Sequence, residues 1–182
     1  MRREFAVAEP PHDPRWLIAI LAGMSMLGGW ILLAFGTNRH VMQLPYMAST
    51  ATIFVVLFFV IGRVARRRAV ALDGGTLDVL ATFHRRRIPM QEIDLEKARV
   101  IDLAEHTEWR PLWKTNGFAM PGFSAGWFRS RNWTRLFCLV TDRQRVLLLP
   151  VRTGGALLLS LERPAELLDA MRATDDGAGA RR

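Results

Sequence analysis

The 182-residue sequence predicts an α+β protein. Two N-terminal transmembrane helices form a hairpin, a β-rich domain follows, and one C-terminal helix closes it. Three observations predict this. Charge nearly vanishes between Trp16 and Gly62, where Arg39 and His40 are the only basic side chains and no acid occurs. From residue 70 onward, short apolar runs alternate with turn residues at strand spacing. Near the end, PAELLDAMR changes to helical periodicity.

The first helix is Trp16–Phe35, WLIAILAGMSMLGGWILLAF, uncharged throughout. As a helix it would be about 30 Å long, the thickness of a hydrocarbon core. Asp13-Pro14 are start signals for it. The preceding region is long, carries three acids, and no A-x-A site follows the apolar run, which favours a retained anchor over a cleaved signal. The second helix is expected over about 45–64, with Pro45 at its first position and Arg63 snorkelling at its end. The short linker Gly36–Leu44 makes the pair antiparallel. Arg2, Arg3 and Arg15 flank one helix and Arg63, Arg66, Arg67 and Arg68 the other, so the positive-inside rule places residues 1–15, both termini and the following domain in the cytoplasm. This is the expectation of an integral membrane protein. Ala19, Gly23, Ser25 and Gly29 would permit close helix approach, either within the hairpin or with another chain. No acid lies inside either span, which argues against a transporter or channel.

The net charge of +8 invites a nucleic-acid reading, but its distribution opposes one. Residues 70–182 hold 17 basic and 14 acidic side chains, and much of the remaining excess is the run Arg63–Arg68. Such a run fits membrane topology and anionic headgroups. The single cysteine, Cys138, lies in an apolar run and reads as a core residue.

Strands are expected over Val70–Leu72 and Thr76–Phe83, joined through Asp73-Gly74-Gly75. His84–Arg87 reads as a charged turn. Further strands are expected over Arg87–Ile93, Ala98–Leu103, Leu136–Thr141, Arg145–Val151 and Ala156–Ser160. The helix Pro164–Arg172 places Leu167, Leu168 and Met171 on one face, as a cap over an apolar opening would require. The tail 174–182 has no pattern and reads as disordered.

Arg110, Asn116-Gly117, Pro121-Gly122, Gly126, Phe128, Val140-Thr141-Asp142, Val146, Gly155, Ser160, Pro164 and Leu168 together resemble the bacterial pleckstrin-homology-like (PH-like) domain family. The resemblance covers about residues 68–173. It implies a bent barrel or sandwich of about seven strands capped by the final helix, and members of this kind are often tethered by helices. Phosphoinositide-binding relatives carry basic residues at the first hairpin turn. Here that turn is the acidic Asp73-Gly74-Gly75, which departs from such a pocket.

The stretch Glu108–Trp133 contains Trp109, Trp113, Phe118, Phe123, Trp127, Phe128 and Trp133 among glycines and prolines. It reads as a long loop, with a strand at Gly126–Arg129, that either packs on the barrel or offers an aromatic surface beside Arg110, Lys114, Arg129 and Arg131. Arg85, Arg86 and Arg87 are either a solvated turn or a contact for anionic lipid, as are Arg66, Arg67 and Arg68. There is no GxxxxGK[ST], HExxH or CxxC, and His106 with its neighbouring acids lacks ligand spacing. No cofactor or metal is expected. These features point to a non-catalytic scaffold with a protein partner or self-association, or alternatively to a peripheral sensor of lipid headgroups. The expected partners are the bilayer and a protein, with no nucleic acid.

Overall fold

The computed structural model describes residues 3–10, 16–35 and 40–179, with side chains missing from the description at 17–18, 32–35, 40–47, 61, 64–65 and 176–179. In chain order the elements are β1 (Arg3–Phe5), α1 (Trp16–Phe35), α2 (His40–Ala65), β2 (Arg68–Asp73), β3 (Thr76–Ala81), β4 (His84–Pro89), β5 (Arg99–Ile101), β6 (Trp113–Met120), β7 (Phe123–Arg129), β8 (Arg135–Val140), β9 (Val146–Pro150), β10 (Ala156–Ser160) and α3 (Pro164–Gly179). The chain divides into two compact units, residues 12–66 and residues 1–11 with 67–182.

In the first unit, α1 and α2 pack against each other. The helices form where apolar composition predicts them, but the transmembrane expectation is corrected: among the described residues, no helix is long and apolar enough to cross a membrane. The integral-membrane location, with a cytoplasmic domain, falls with that expectation. α2 begins at His40, so Pro45 lies inside it and not at its start. A Cβ added at Gly23 would meet nothing within 4 Å, so no close approach requires glycine there. Asp13-Pro14, Arg15, Arg39 and the extreme C-terminus lie outside the described residues.

The second unit has two sheets of four and six strands, in the orders β1-β2-β3-β4 and β5-β9-β10-β8-β7-β6. The strands expected within 68–173, about seven, are therefore corrected to nine, β2–β10, and β1 adds a tenth among the described residues. The four-stranded sheet is antiparallel throughout. In the six-stranded sheet β10 runs parallel to β8, and the other pairs are antiparallel. The main core includes Val70, Leu77, Val79 and Ile88 with Phe123, Phe137, Leu147 and Leu157, together with Leu167, Leu168 and Met171 of α3. The amphipathic face of α3 thus covers apolar residues as its periodicity predicts. A second core of Phe128, Leu136, Cys138, Leu148 and Leu158 has Trp109 packed against it.

β1 is an element that sequence patterning missed. Arg3, Glu4 and Phe5 pair with Leu72, Ala71 and Val70. Beyond it, the Ala8 amide donates to the Ser160 carbonyl at 3.1 Å, and the Thr141 hydroxyl donates to the Ala8 carbonyl at 2.6 Å. The N-terminal segment is therefore part of the β unit. In sequence, the helical hairpin is an insertion between β1 and β2. At the other end α3 continues to Gly179, beyond the point where the apolar pattern stops.

Candidate functional site

The aromatic stretch expected as a long loop is mostly a β-hairpin, β6 and β7, turned by Pro121-Gly122. Gly117 and Gly126 are cross-strand partners in it. A Cβ on Gly126 would stand 2.7 Å from Gly117 Cα and 2.8 Å from the Asn116 carbonyl oxygen, and its φ is +108°. Only glycine suits that close approach and that dihedral. A β-bulge between Lys114 and Asn116 leaves Thr115 without a cross-strand partner on β7. Its hydroxyl donates to the Trp127 carbonyl at 3.0 Å.

Register then places the side chains. Trp113 on β6 pairs with Arg129 on β7, which pairs with Arg135 on β8. Trp127 pairs with Phe137, and their rings meet edge to face at 5.0 Å. The β7–β8 turn is held by Ser130, which is buried. Its hydroxyl accepts from the Asn132 and Thr134 amides, each at 3.2 Å. This turn puts Trp133 in the left-handed region, φ +58°, a conformation of a kind often kept at binding sites despite its cost. Trp133 stacks on Trp113 with ring centroids 6.5 Å apart and planes 13° from parallel. The two are 65% and 60% exposed, and Leu112 beside them is 53% exposed. β6 ends the sheet, so among the described strands its outer backbone edge has no partner.

Three cations gather on this end. Arg129 lies 5.6 Å from the Trp133 ring. Arg135 lies 5.8 Å and Arg86, from β4, 4.7 Å from the Trp127 ring. Burial pulls the Arg86 guanidinium below its ordinary value; Glu92 opposes that shift, and Arg135 adds to it. Thr115, Asn116, Trp127, Phe128, Arg129 and Arg135 line a cavity of about 450 Å³. From Trp109 to Thr141 the sequence contains five cations and no carboxylate.

The other sequence-derived candidates separate. Arg85, Arg86 and Arg87 are not a turn but part of β4, so they alternate between faces. Arg85 Nε donates to the two Asp78 carboxylate oxygens at 2.8 and 3.1 Å, and Arg87 Nε lies 3.5 Å from the same carboxylate. Hydrogen bonding from Arg85 holds the Asp78 carboxyl below its usual range, against a burial effect that raises it. Arg66 and Arg67 are exposed, while Arg68 sits in β2, where burial lowers its pKa. Trp109 packs on the second core, and Arg110 Nε donates to the Leu103 carbonyl at 2.6 Å. Phe118 and Phe123 face the main core and each other at 5.9 Å. Only Arg86, Trp113 and Trp127 of the named candidates come together here. Trp133 and Arg129 join them from the same stretch. Arg135 was missed, because only cross-strand register places it opposite Arg129.

Chemically the arrangement offers aromatic area, guanidinium donors and a free strand edge, which suits binding. Cys138 is buried and burial pushes its thiol up, away from a reactive thiolate. Among the described residues no three His, Cys, Asp or Glu side chains stand close enough to hold a metal.

The fold defines a β-sheet domain closed by a C-terminal helix. The chain belongs to the bacterial PH domain family, whose model matches residues 68–174. PH domains are generally non-catalytic modules that bind lipids or proteins. The match starts at β2 and leaves β1 outside it. No curated protein and no solved structure matches the chain.

Proposed function

We propose that this protein is a non-catalytic interaction module whose partner is another protein, bound at the β6 end of the six-stranded sheet. The observation that carries this reading is the stacked, solvent-facing Trp113–Trp133 pair beside an edge strand that has no second neighbour among the described strands. Exposed tryptophans with adjacent arginine have the composition of interface hot spots. A free strand edge adds main-chain donors and acceptors that an extended partner segment can use. A lipid-sensing role through Arg85–Arg87 has less support, because Asp78 already engages Arg85 and Arg87.

The test is co-purification of the full chain with its cellular partner in two double variants. Trp113→Ala with Trp133→Ala should abolish partner retention, while Arg85→Gln with Arg87→Gln should leave it intact. Retention by the tryptophan variant, or its loss in the arginine variant, would contradict the reading.

A further inference from the structure

Arg129 and Arg135 stand directly opposite each other on neighbouring antiparallel strands. Like charges directly opposite each other across a pair of strands repel and destabilise the sheet. The strands β6, β7 and β8 carry no carboxylate, and among the described residues no ion pair involves Arg86, Arg129 or Arg135, although Glu92 acts on Arg86 from beyond ion-pair distance. Both Arg86 and Arg135 lie over Trp127, so the ring holds two guanidinium groups near one another. The cavity lined by Arg129, Arg135, Thr115 and Asn116 adds hydroxyl and amide groups to this cationic surface. Arg129 Nη1 donates to the Trp133 carbonyl at 3.2 Å, which leaves the other donors of its fork, and a concentration of guanidinium groups without an ion pair at one sheet end is complementary to an anion.

We propose that Arg86, Arg129 and Arg135, gathered around Trp127, receive the carboxylates of an acidic segment of the partner protein. This deepens the reading of the β6 end as the interaction surface and rests on it. The guanidinium fork matches a carboxylate in paired, parallel hydrogen bonds, which selects acidic side chains over neutral polar ones. The neighbouring Leu112, Trp113 and Trp133 select apolar residues between the acids. The recognised segment is therefore extended, with acidic and apolar side chains in alternation, lying along β6. Arg129 joins the two parts of the surface, since it opposes Trp113 on one side and Arg135 on the other.

The probe is a synthetic peptide of alternating Glu and Val, titrated into the full chain at low salt by calorimetry and tryptophan fluorescence. A second peptide has Gln for Glu, and vesicles of phosphatidylglycerol in phosphatidylcholine form the lipid arm. The Glu peptide should bind, and the Gln peptide should bind at least about tenfold more weakly. Arg129→Gln with Arg135→Gln should lose about the same factor, while Arg85→Gln with Arg87→Gln should not. Arg129→Lys with Arg135→Lys keeps the charge and the fold but not the fork, and should fall between. Equal binding of both peptides, or binding unchanged in the Arg129–Arg135 variants, would overturn the proposal. So would vesicle binding that depends on the same two arginines, since the ligand would then be a lipid surface. If the cellular partner is lost with the tryptophan variant yet kept with Arg129→Gln and Arg135→Gln, the interface stands and the carboxylate inference fails.

Discussion

On β4, Arg87 stands across from Asp78 of β3, with Arg85 beside it, whereas on β7 Arg129 stands across from Arg135 of β8. In sequence the first place is the more conspicuous, a run of three arginines. In the fold it is the quieter one, because one carboxylate engages two of them. The second place has no run at all, only arginines six residues apart, yet among the described residues no carboxylate forms an ion pair with either. A basic run in a strand distributes its members to both faces, so its availability depends on the neighbouring strand. Cationic residues scattered over a hairpin and the next strand can converge on one face through register alone.

The largest expected effect breaks the platform of the uncompensated place. Gly126→Ala puts a Cβ within contact-violating distance of Gly117 and forces φ +108° on a residue that resists it. It should cost about 2–4 kcal/mol in chemical denaturation and abolish binding at the β6 end. A smaller effect would erase the difference between the two places. Asp78→Asn frees Arg85 and Arg87, should cost about 0.5–1 kcal/mol because the pair is near the surface, and should create a second weak site for the acidic peptide.

Acid should reveal the same pairing without mutation. The Asp78 carboxyl is held below its unfolded value, chiefly by hydrogen bonding from Arg85. Its contribution is therefore present above the unfolded value, about pH 4, and is lost as pH falls through the lowered one. Melting temperatures of the natural chain and Asp78→Asn should differ at neutral pH and converge in acid. The smallest expected effect is Arg135→Gln alone. Removing one of two opposed like charges should leave stability unchanged or raise it by a few tenths of a kcal/mol, even as peptide binding falls.

Legibility in the sequence followed the range of the interactions. Ala156–Ser160 emerges with its expected bounds because a short apolar run between turn signals is a local pattern. The β6–β7 hairpin was obscured by its glycines and aromatics, although Pro121-Gly122 was the signal for its turn. β1 could not be read: three residues, Arg-Glu-Phe, carry no periodicity, and their partner strand follows the whole helical insertion. The bacterial PH domain resemblance was legible from dispersed glycines and the Val140-Thr141-Asp142 turn. The membrane-spanning reading rested on composition over two long runs, whereas among the described residues no helix is long and apolar enough to cross a membrane. Of the site, the tryptophans were visible as composition, while the opposition of Arg129 and Arg135 exists only once the register is known.

The most direct measurement places a photo-reactive amino acid at Trp113 in one full-length variant and at Arg85 in another, and irradiates both in cells. Cross-linking to a discrete protein from position 113 and not from position 85 is the predicted result. Cross-linking from position 85 alone would contradict it and return the interface to the arginines of β4.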